Sequence, residues 1–100
     1  PGTVVYAYLP YEEDHRRGKS RPAVVVSATR SDVTVLPITS KGHWAAHHAK
    51  VAISDLDAAG LDRPSWIQAR PVVIERRYIN TILGRLADLD AATSLPAEAA

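Results

Sequence analysis

Arg21-Pro22-Ala23-Val24-Val25-Val26-Ser27 is the stretch that decides the fold class of this 100-residue sequence. A continuous apolar run of strand length, rich in valine, is typical of a β-strand that is buried on both faces. Proline is tolerated at the first residue of a strand, so Pro22 is compatible with this assignment. We therefore predict a central strand that the chain enters through Arg21 and Pro22.

Shorter strand candidates lie on both sides of this run, bounded by proline or turn residues. They are residues 3–9, 33–38, 50–53, 65–69 and 72–74. Pro37 marks an edge or a bulge in the second of them. Residues 78–83 are ambiguous between helix and strand, because a short apolar run has no decisive period. Five or six short strands with little helix predict a mainly β fold, a small antiparallel barrel or sandwich.

Helix is expected in only two short segments. Ser54 can cap a helical turn that Gly60 ends. Near the C-terminus, Asp88 or Asp90 can cap a short helix that Pro96 limits. Strands and helices do not alternate at the spacing of βαβ units, which disfavours the nucleotide-binding α/β folds.

The composition bounds the function without naming one. The length suits a single domain over residues 1–100. The absence of cysteine excludes disulfides, a thiolate nucleophile and thiolate zinc sites, and it fits a reducing cytoplasm. The 12 Lys and Arg residues and the 11 Asp and Glu residues give a net charge of +1. This net charge does not indicate a polyanionic partner. No apolar run approaches a membrane span, so we expect a cytoplasmic protein without a membrane partner.

Residues 12–21 form the densest polar segment, and its charge changes from acidic to basic halfway. Its cations are Arg16, Arg17, Lys19 and Arg21. This density fits binding to a polyanion, and an ordinary solvated hairpin connection explains it as well. His15 could transfer protons near neutral pH or simply be solvated. Arg21, held next to Pro22 and a buried strand, could bind phosphate through its planar fork or close an ion pair at a barrel rim.

A second polar turn follows the strand that contains Pro37. The hydroxyls of Thr39 and Ser40, together with the charge of Lys41, can hold a phosphate oxygen, although turn chemistry accounts for the same residues. Further on, His43 and His47 have a spacing that permits a metal site, but no cysteine or suitably placed glutamate accompanies them. Trp44 could instead stack on an unpaired base or pack in the core.

Five segments occur in a recognisable order along nearly the whole chain. They are Gly2-Thr3-Val4-Val5, Gly18-Lys19-Ser20-Arg21-Pro22-Ala23-Val24-Val25-Val26-Ser27, Val35-Leu36-Pro37-Ile38-Thr39-Ser40, Ala59-Gly60-Leu61 with Pro64-Ser65-Trp66, and Ile82-Leu83-Gly84-Arg85-Leu86. This sequence resembles the MazF/PemK family of toxins from bacterial type II toxin–antitoxin systems. The resemblance implies an SH3-like small antiparallel β-barrel with a short C-terminal helix, usually as a homodimer. It also implies an endoribonuclease that needs no cofactor or metal, cuts single-stranded RNA at short motifs and is neutralised by a cognate antitoxin.

The resemblance also assigns roles to residues. In relatives the arginine of the Arg-Pro segment and the threonine of the Pro-Ile-Thr segment form the catalytic pair, which correspond here to Arg21 and Thr39. His15 matches an assisting loop histidine by its offset. The acidic alternatives are Glu12, Glu13 and Asp14, and the expected RNA-binding residues are Arg16, Arg17, Lys19, Ser40, Lys41 and Trp44.

The mechanism implied by the resemblance starts with attack of the RNA 2′-hydroxyl on the adjacent phosphorus, and it yields a 2′,3′-cyclic phosphate and a 5′-hydroxyl. One departure concerns the acid of an Arg-x-Asp pair that some relatives carry before the late proline. Residues 67–70 read Ile-Gln-Ala-Arg, so that acid is missing. The alternatives are a toxin of the same fold that binds a protein such as DNA gyrase, and a family member that has lost catalysis.

Overall fold

The computed structural model describes residues 1–41 and 50–95, and within them the fold is mainly β, as predicted. The strands are β1 (Thr3–Pro10), β2 (Gly18–Ala28), β3 (Asp32–Thr39), β4 (Lys50–Ala52), β5 (Trp66–Gln68), β6 (Val72–Glu75) and β7 (Ile79–Arg85). The helices are α1 (Leu56–Ala59) and α2 (Asp88–Ser94), and a 3-10 turn (Arg76–Tyr78) joins β6 to β7. The ambiguous segment before Gly84 is therefore a strand, because it pairs with β1.

The antiparallel strands run in the order β6-β3-β2-β1-β7, and β5 and β4 extend the sheet from the far end of β3. A flat sheet would separate the edge strands β6 and β7 by about 19 Å, since neighbouring strands lie about 4.8 Å apart. The 3-10 turn between these two strands is only three residues long, too short to span that distance across the sheet. The sheet must therefore curl into the small barrel expected for an SH3-like fold.

The prediction of a central strand buried on both faces is confirmed for β2, which lies between β1 and β3. Alternate residues of β2 face two separate cores. Ala23 and Val25 contribute to the barrel interior with Val5, whereas Val24 packs with Leu36 in a second core beneath the helices. Side chains that alternate between the faces of a strand explain this division. Packing of its two faces against the two cores therefore anchors the end of β2 that carries Arg21.

Pro37 is neither at an edge nor in a bulge, so that prediction was wrong. It is fully buried and lies opposite Ala23 of β2. On its other side β3 changes partner, because residues up to Val35 pair with β6 and residues from Ile38 pair with β5. Proline lacks an N–H, and the gap between the two partners is a position where no ladder bond has to be donated.

Two predicted boundaries also differ from the structure. β2 already begins at Gly18, because the opposite residue Pro10 ends a continuous ladder with β1. Asp55 caps α1 in place of Ser54, since its carboxylate accepts a hydrogen bond from the N–H of Ala58 at 3.1 Å. Gly60 ends this helix in a left-handed conformation, as predicted.

The C-terminal helix forms, but neither Asp88 nor Asp90 caps it. Ala87 occupies the cap position and makes no side-chain hydrogen bond there. Asp90 is 2 % exposed and instead binds the segment before α1. Its carboxylate accepts hydrogen bonds from Ser54 N–H at 2.9 Å, Ser54 Oγ at 2.7 Å and Asp55 N–H at 3.0 Å. The carboxylate therefore ties α2 to the start of α1. Pro96 lies outside the described residues.

Candidate active site

A groove of about 530 Å³ opens where the ends of β2 and β3 separate. Its lining comes from β1, from both of these strand ends and from the segment that follows α1. The residues are Tyr6, Lys19, Ser20, Arg21, Pro22, Ile38, Thr39, Ser40, Lys41, Leu61, Asp62, Arg63 and Ser65. Five of the residues singled out from the sequence thus share one groove, although β2 and β3 contribute them from separate stretches.

The strand register explains why Arg21 and Thr39 meet. Ala23 lies opposite Pro37 in the last ladder pair between β2 and β3 at this end. Counting two residues from this pair toward the groove end of each strand gives Arg21 on β2 and Thr39 on β3. At this point β3 turns to β5, where Thr39 pairs with Trp66. The two strand ends therefore diverge and leave a cleft with the guanidinium on one wall and the hydroxyl on the other.

Arg21 has a firmly held backbone, and one nitrogen of its side chain lacks a hydrogen-bond partner among the described residues. Its backbone lies in the β1–β2 ladder opposite Ala7. Its Nε is buried and has no hydrogen-bond partner among the described residues. A buried donor left in this state costs about 1–3 kcal/mol. An ion pair at the barrel rim, the alternative interpretation of this residue, does not occur within the described ranges. An acceptor such as a phosphate oxygen would satisfy the guanidinium.

On the opposite wall, Thr39 is oriented by the turn that follows it. Its Oγ1 accepts a hydrogen bond from the N–H of Lys41 at 3.0 Å. A hydroxyl that accepts in this way still has its own proton to donate. Ser40 and Lys41 are exposed beside it. The turn therefore presents hydroxyl donors and one positive charge to the groove.

Sequence reasoning missed the contribution of Leu61, Asp62 and Arg63. Arg63 pairs with Asp62 at 3.5 Å, and Ser65 Oγ donates to the Arg63 carbonyl at 2.9 Å. These residues follow α1, and the packing of α1 against β7 brings them to the groove. No local pattern in the sequence marks them as groove residues. They place one more cation and one carboxylate at its rim.

The tip of the β1–β2 loop is not part of the groove. His15, Arg16 and Arg17 are exposed and do not line the cavity. Asp14 accepts hydrogen bonds from Arg16, from its N–H at 3.1 Å and from its Nε at 3.4 Å. Glu12 in turn pairs with Arg70. Two of the three acidic candidates, Glu12 and Asp14, are therefore already in ion pairs with arginines.

That second pair connects two loops. The distance between Glu12 Oε2 and Arg70 Nε is 3.9 Å, and the Arg70 side chain is only 19% exposed. The pair therefore links the β1–β2 loop to the segment between β5 and β6. In the stretch that lacks the acid of the Arg-x-Asp pair, Ile67 is buried in the core and Ala69 is exposed.

Two other hypotheses fall on residues outside the described ranges. Trp44, His43 and His47 all lie there, so the stacking and metal-binding hypotheses stay predictions. Among residues 1–41 and 50–95, no three His, Asp or Glu side chains are grouped as metal ligands would be.

Comparison with known proteins identifies the family of this chain. Residues 1–94 match the family model described as PemK-like, MazF-like toxin of type II toxin–antitoxin system. The chain belongs to this family. Membership implies a toxin whose natural partner is an antitoxin. No curated protein matches the sequence significantly.

One further observation concerns membranes. Within the two described ranges, no helix of this PemK-like, MazF-like toxin has the length and apolar character needed to cross a lipid bilayer.

Proposed function

We propose that this toxin is an endoribonuclease that cleaves single-stranded RNA without a metal ion. The observation that carries the proposal is the meeting of Arg21 and Thr39 in one groove. The buried Nε of Arg21 has no partner there among the described residues. Lys19 and Lys41 add positive charge beside the pair, and phosphodiester backbones are bound chiefly through such cations.

The reaction is an in-line transfer within the RNA. A base removes the proton of the 2′-hydroxyl, and the 2′-oxygen forms a bond to the adjacent phosphorus. The bond from phosphorus to the 5′-oxygen then breaks, and the leaving oxygen takes up a proton. Arg21 stabilises the charge that develops on the phosphorane and can supply that proton, while Thr39 donates its hydroxyl proton to a nonbridging oxygen. The products are a 2′,3′-cyclic phosphate and a 5′-hydroxyl.

The candidate bases left in this scheme are His15 and Glu13, both exposed in the loop before Arg21. The carboxylate of Asp14 is engaged by Arg16, and that of Glu12 faces Arg70. An imidazole also accepts a proton readily near neutral pH.

The groove also suggests how an antitoxin would bind. An antitoxin with an acidic segment would neutralise the toxin by occupying the cationic groove.

We also propose a homodimer, in line with the family resemblance. Exposed apolar side chains that could serve such contacts are Val73, Ile82 and Leu89, each more than half exposed.

The test is incubation of the purified protein with a long single-stranded RNA in the presence of EDTA. We expect cleavage by the wild type, and loss of at least about 100-fold in Arg21→Ala and Thr39→Ala, the effect of removing one donor from an oxyanion site. Arg30→Ala and Thr81→Ala are matched controls, because both residues are exposed and lie outside the groove. A 2′-deoxy substitution at the cleaved nucleotide should abolish cutting.

Three results would contradict the proposal. Cleavage that EDTA abolishes would indicate a metal-dependent reaction. Cleavage at the deoxy position would exclude attack by the 2′-oxygen. Growth arrest by a protein that leaves RNA intact would favour the alternative of a protein target such as DNA gyrase.

A further inference from the structure

A second depression, of about 430 Å³, adjoins the groove on the side of β1 and β7. It is lined by Tyr8, Ser20, Arg77, Tyr78, Ile79 and Asn80. Ser20 lines both cavities and directly precedes Arg21 in β2. The depression therefore meets the proposed cleavage groove at Ser20, and none of the residues expected from the sequence to bind RNA lines it.

The two tyrosines of this depression are more exposed than packing would require. Tyr8 is 41% exposed and Tyr78 is 39% exposed. Tyr8 lies on the face of β1 opposite to Ala7 and Leu9, which fill the barrel interior. Its cross-strand neighbour is the small Ser20. Nothing bulky on β2 therefore covers the ring at this pair.

The rings are nevertheless held in place. Their centroids are 6.0 Å apart and their planes are inclined by 37°. The guanidinium of Arg77 lies over the Tyr78 ring at 5.1 Å from its centroid, and Glu75 fixes that guanidinium through an ion pair of 2.7 Å. An exposed aromatic surface that is already ordered loses little conformational entropy when a ligand stacks on it.

We infer that Tyr8 and Tyr78 form a stacking subsite for an unpaired base of the RNA, on the side of the groove that Ser20 lines. The inference rests on the proposed function. The rings already contact each other and the Arg77 guanidinium covers part of Tyr78, so the base stacks on the exposed ring surface that the guanidinium leaves open. Asn80, exposed at the rim, offers an amide donor and acceptor to the edge of the base. Aromatic rings beside a cationic backbone groove are the usual arrangement for single-stranded nucleic acid.

The test measures binding separately from cleavage. The probe is a fluorescein-labelled 2′-O-methyl oligoadenylate of about ten nucleotides, which cannot undergo attack by a 2′-oxygen. A second probe has the same backbone without bases, and affinities are measured by fluorescence anisotropy. The variants are Tyr8→Leu and Tyr78→Leu, with Tyr8→Phe to restore the ring. Tyr11→Leu is the matched control, because this half-buried tyrosine lies outside both cavities.

We expect the two leucine variants to bind the base-bearing probe about tenfold more weakly than the wild type, as the loss of one stacked base implies. Their affinity for the abasic probe should not change. Tyr8→Phe and Tyr11→Leu should both bind like the wild type. Equal binding of the base-bearing probe by the wild type and the leucine variants would overturn the inference, whether or not the protein cuts RNA.

Two further measurements separate the subsite from its alternatives. If sedimentation shows that Tyr8→Leu dissociates a dimer and binding is lost for that reason, the tyrosines form a subunit contact and the inference is overturned. Wild-type cleavage of unmodified RNA is assayed in parallel. If binding depends on the tyrosines and the bases but RNA is not cleaved, the subsite is supported and the nuclease proposal is overturned. If neither the base preference nor cleavage is observed, the subsite and the nuclease proposal are both overturned.

Discussion

At the scale of single residues, Arg21 combines a rigid backbone with an unsatisfied donor. Its side chain is half-buried, and its Nε has no partner among the described residues. A planar guanidinium can bind two oxygens of one phosphate, whereas an ammonium is a point charge. The geometry of the groove therefore uses the shape of this side chain as well as its charge.

This argument predicts the effect of a charge-conserving substitution. Arg21→Lys should lower kcat/KM for RNA cleavage by about 100-fold, comparable with the loss of one transition-state donor. Arg30→Lys, at an exposed position outside the groove, should leave the rate unchanged. Steady-state kinetics on a fluorogenic RNA would measure both. Activity of Arg21→Lys within about threefold of the wild type would mean that only the charge matters.

Local sequence could identify some site residues and not others. Arg21 and Thr39 stand out because each adjoins a proline-marked strand. The groove positions of Asp62 and Arg63 have no comparable signal, since they depend on how α1 packs. The sequence placed Lys19 in a loop, but it lies in β2. The roles of Arg21, Thr39, His15 and Trp44 all stay predictions, and Trp44 lies outside the described residues.

At the scale of elements, the carboxylate of Asp90 links α2 to α1. Burial by itself raises the pKa of Asp90. Hydrogen bonds from the N–H groups of Asp55 and Ser54 and from the Ser54 hydroxyl outweigh that effect, so the pKa lies below its ordinary value of 3.8. A lowered pKa in the folded state means that the ionised carboxylate stabilises the fold. This contribution is complete well above pH 3.8 and is lost as the pH falls through the lower folded value.

Asp90→Asn should therefore lower the free energy of unfolding by about 1–3 kcal/mol at neutral pH, the range for a hydrogen-bonded buried charge. The difference from the wild type should shrink as the pH falls below 3.8, because protonation of the Asp90 carboxyl then favours the unfolded chain. Urea unfolding at neutral pH and near pH 3 would measure it. Asp88→Asn is the control, because Asp88 is exposed on the same helix. An equal difference at both pH values would refute the role of the charge.

Elements were more predictable than their boundaries. The valine run of β2 specifies a strand buried on both faces, and two cores do flank it. The cap of α1 was misassigned because Ser54 and Asp55 are both good capping residues and only the tertiary bond from Ser54 to Asp90 decides between them. Pro37 was misassigned because sequence does not reveal that β3 changes partner there.

At the scale of the whole molecule, a net charge of +1 conceals a cationic groove. Lys19, Arg21, Lys41 and Arg63 line it with a single carboxylate, Asp62. About three or four phosphates could be neutralised there, and each contributes about −0.7 to the slope of log K against log salt for a single strand. The local arrangement of charge, not the net charge of the chain, would therefore govern binding of the RNA that we propose as the substrate.

We expect the affinity for a 2′-O-methyl oligonucleotide to fall with salt at a logarithmic slope of about −2 to −3. Lys19→Ala and Lys41→Ala should each reduce the steepness by about 0.7. Arg30→Ala should leave the slope unchanged because this residue lies outside the groove. Anisotropy titrations at several salt concentrations would provide the slopes. A slope near zero in the wild type would show that the groove does not bind the backbone.

The pairing of the first strand with the last determines when this architecture can be completed during synthesis. Thr3 lies opposite Arg85, and the N–H of Leu86 donates to the carbonyl of Gly2 at 2.9 Å. A nascent chain can form the β1–β2 hairpin early, but the outer edge of β1 stays unpaired until β7 emerges. Unpaired edges are templates for aggregation. A product that ends before β7 would therefore carry Arg21 and Thr39 on an open sheet, prone to self-association instead of closure.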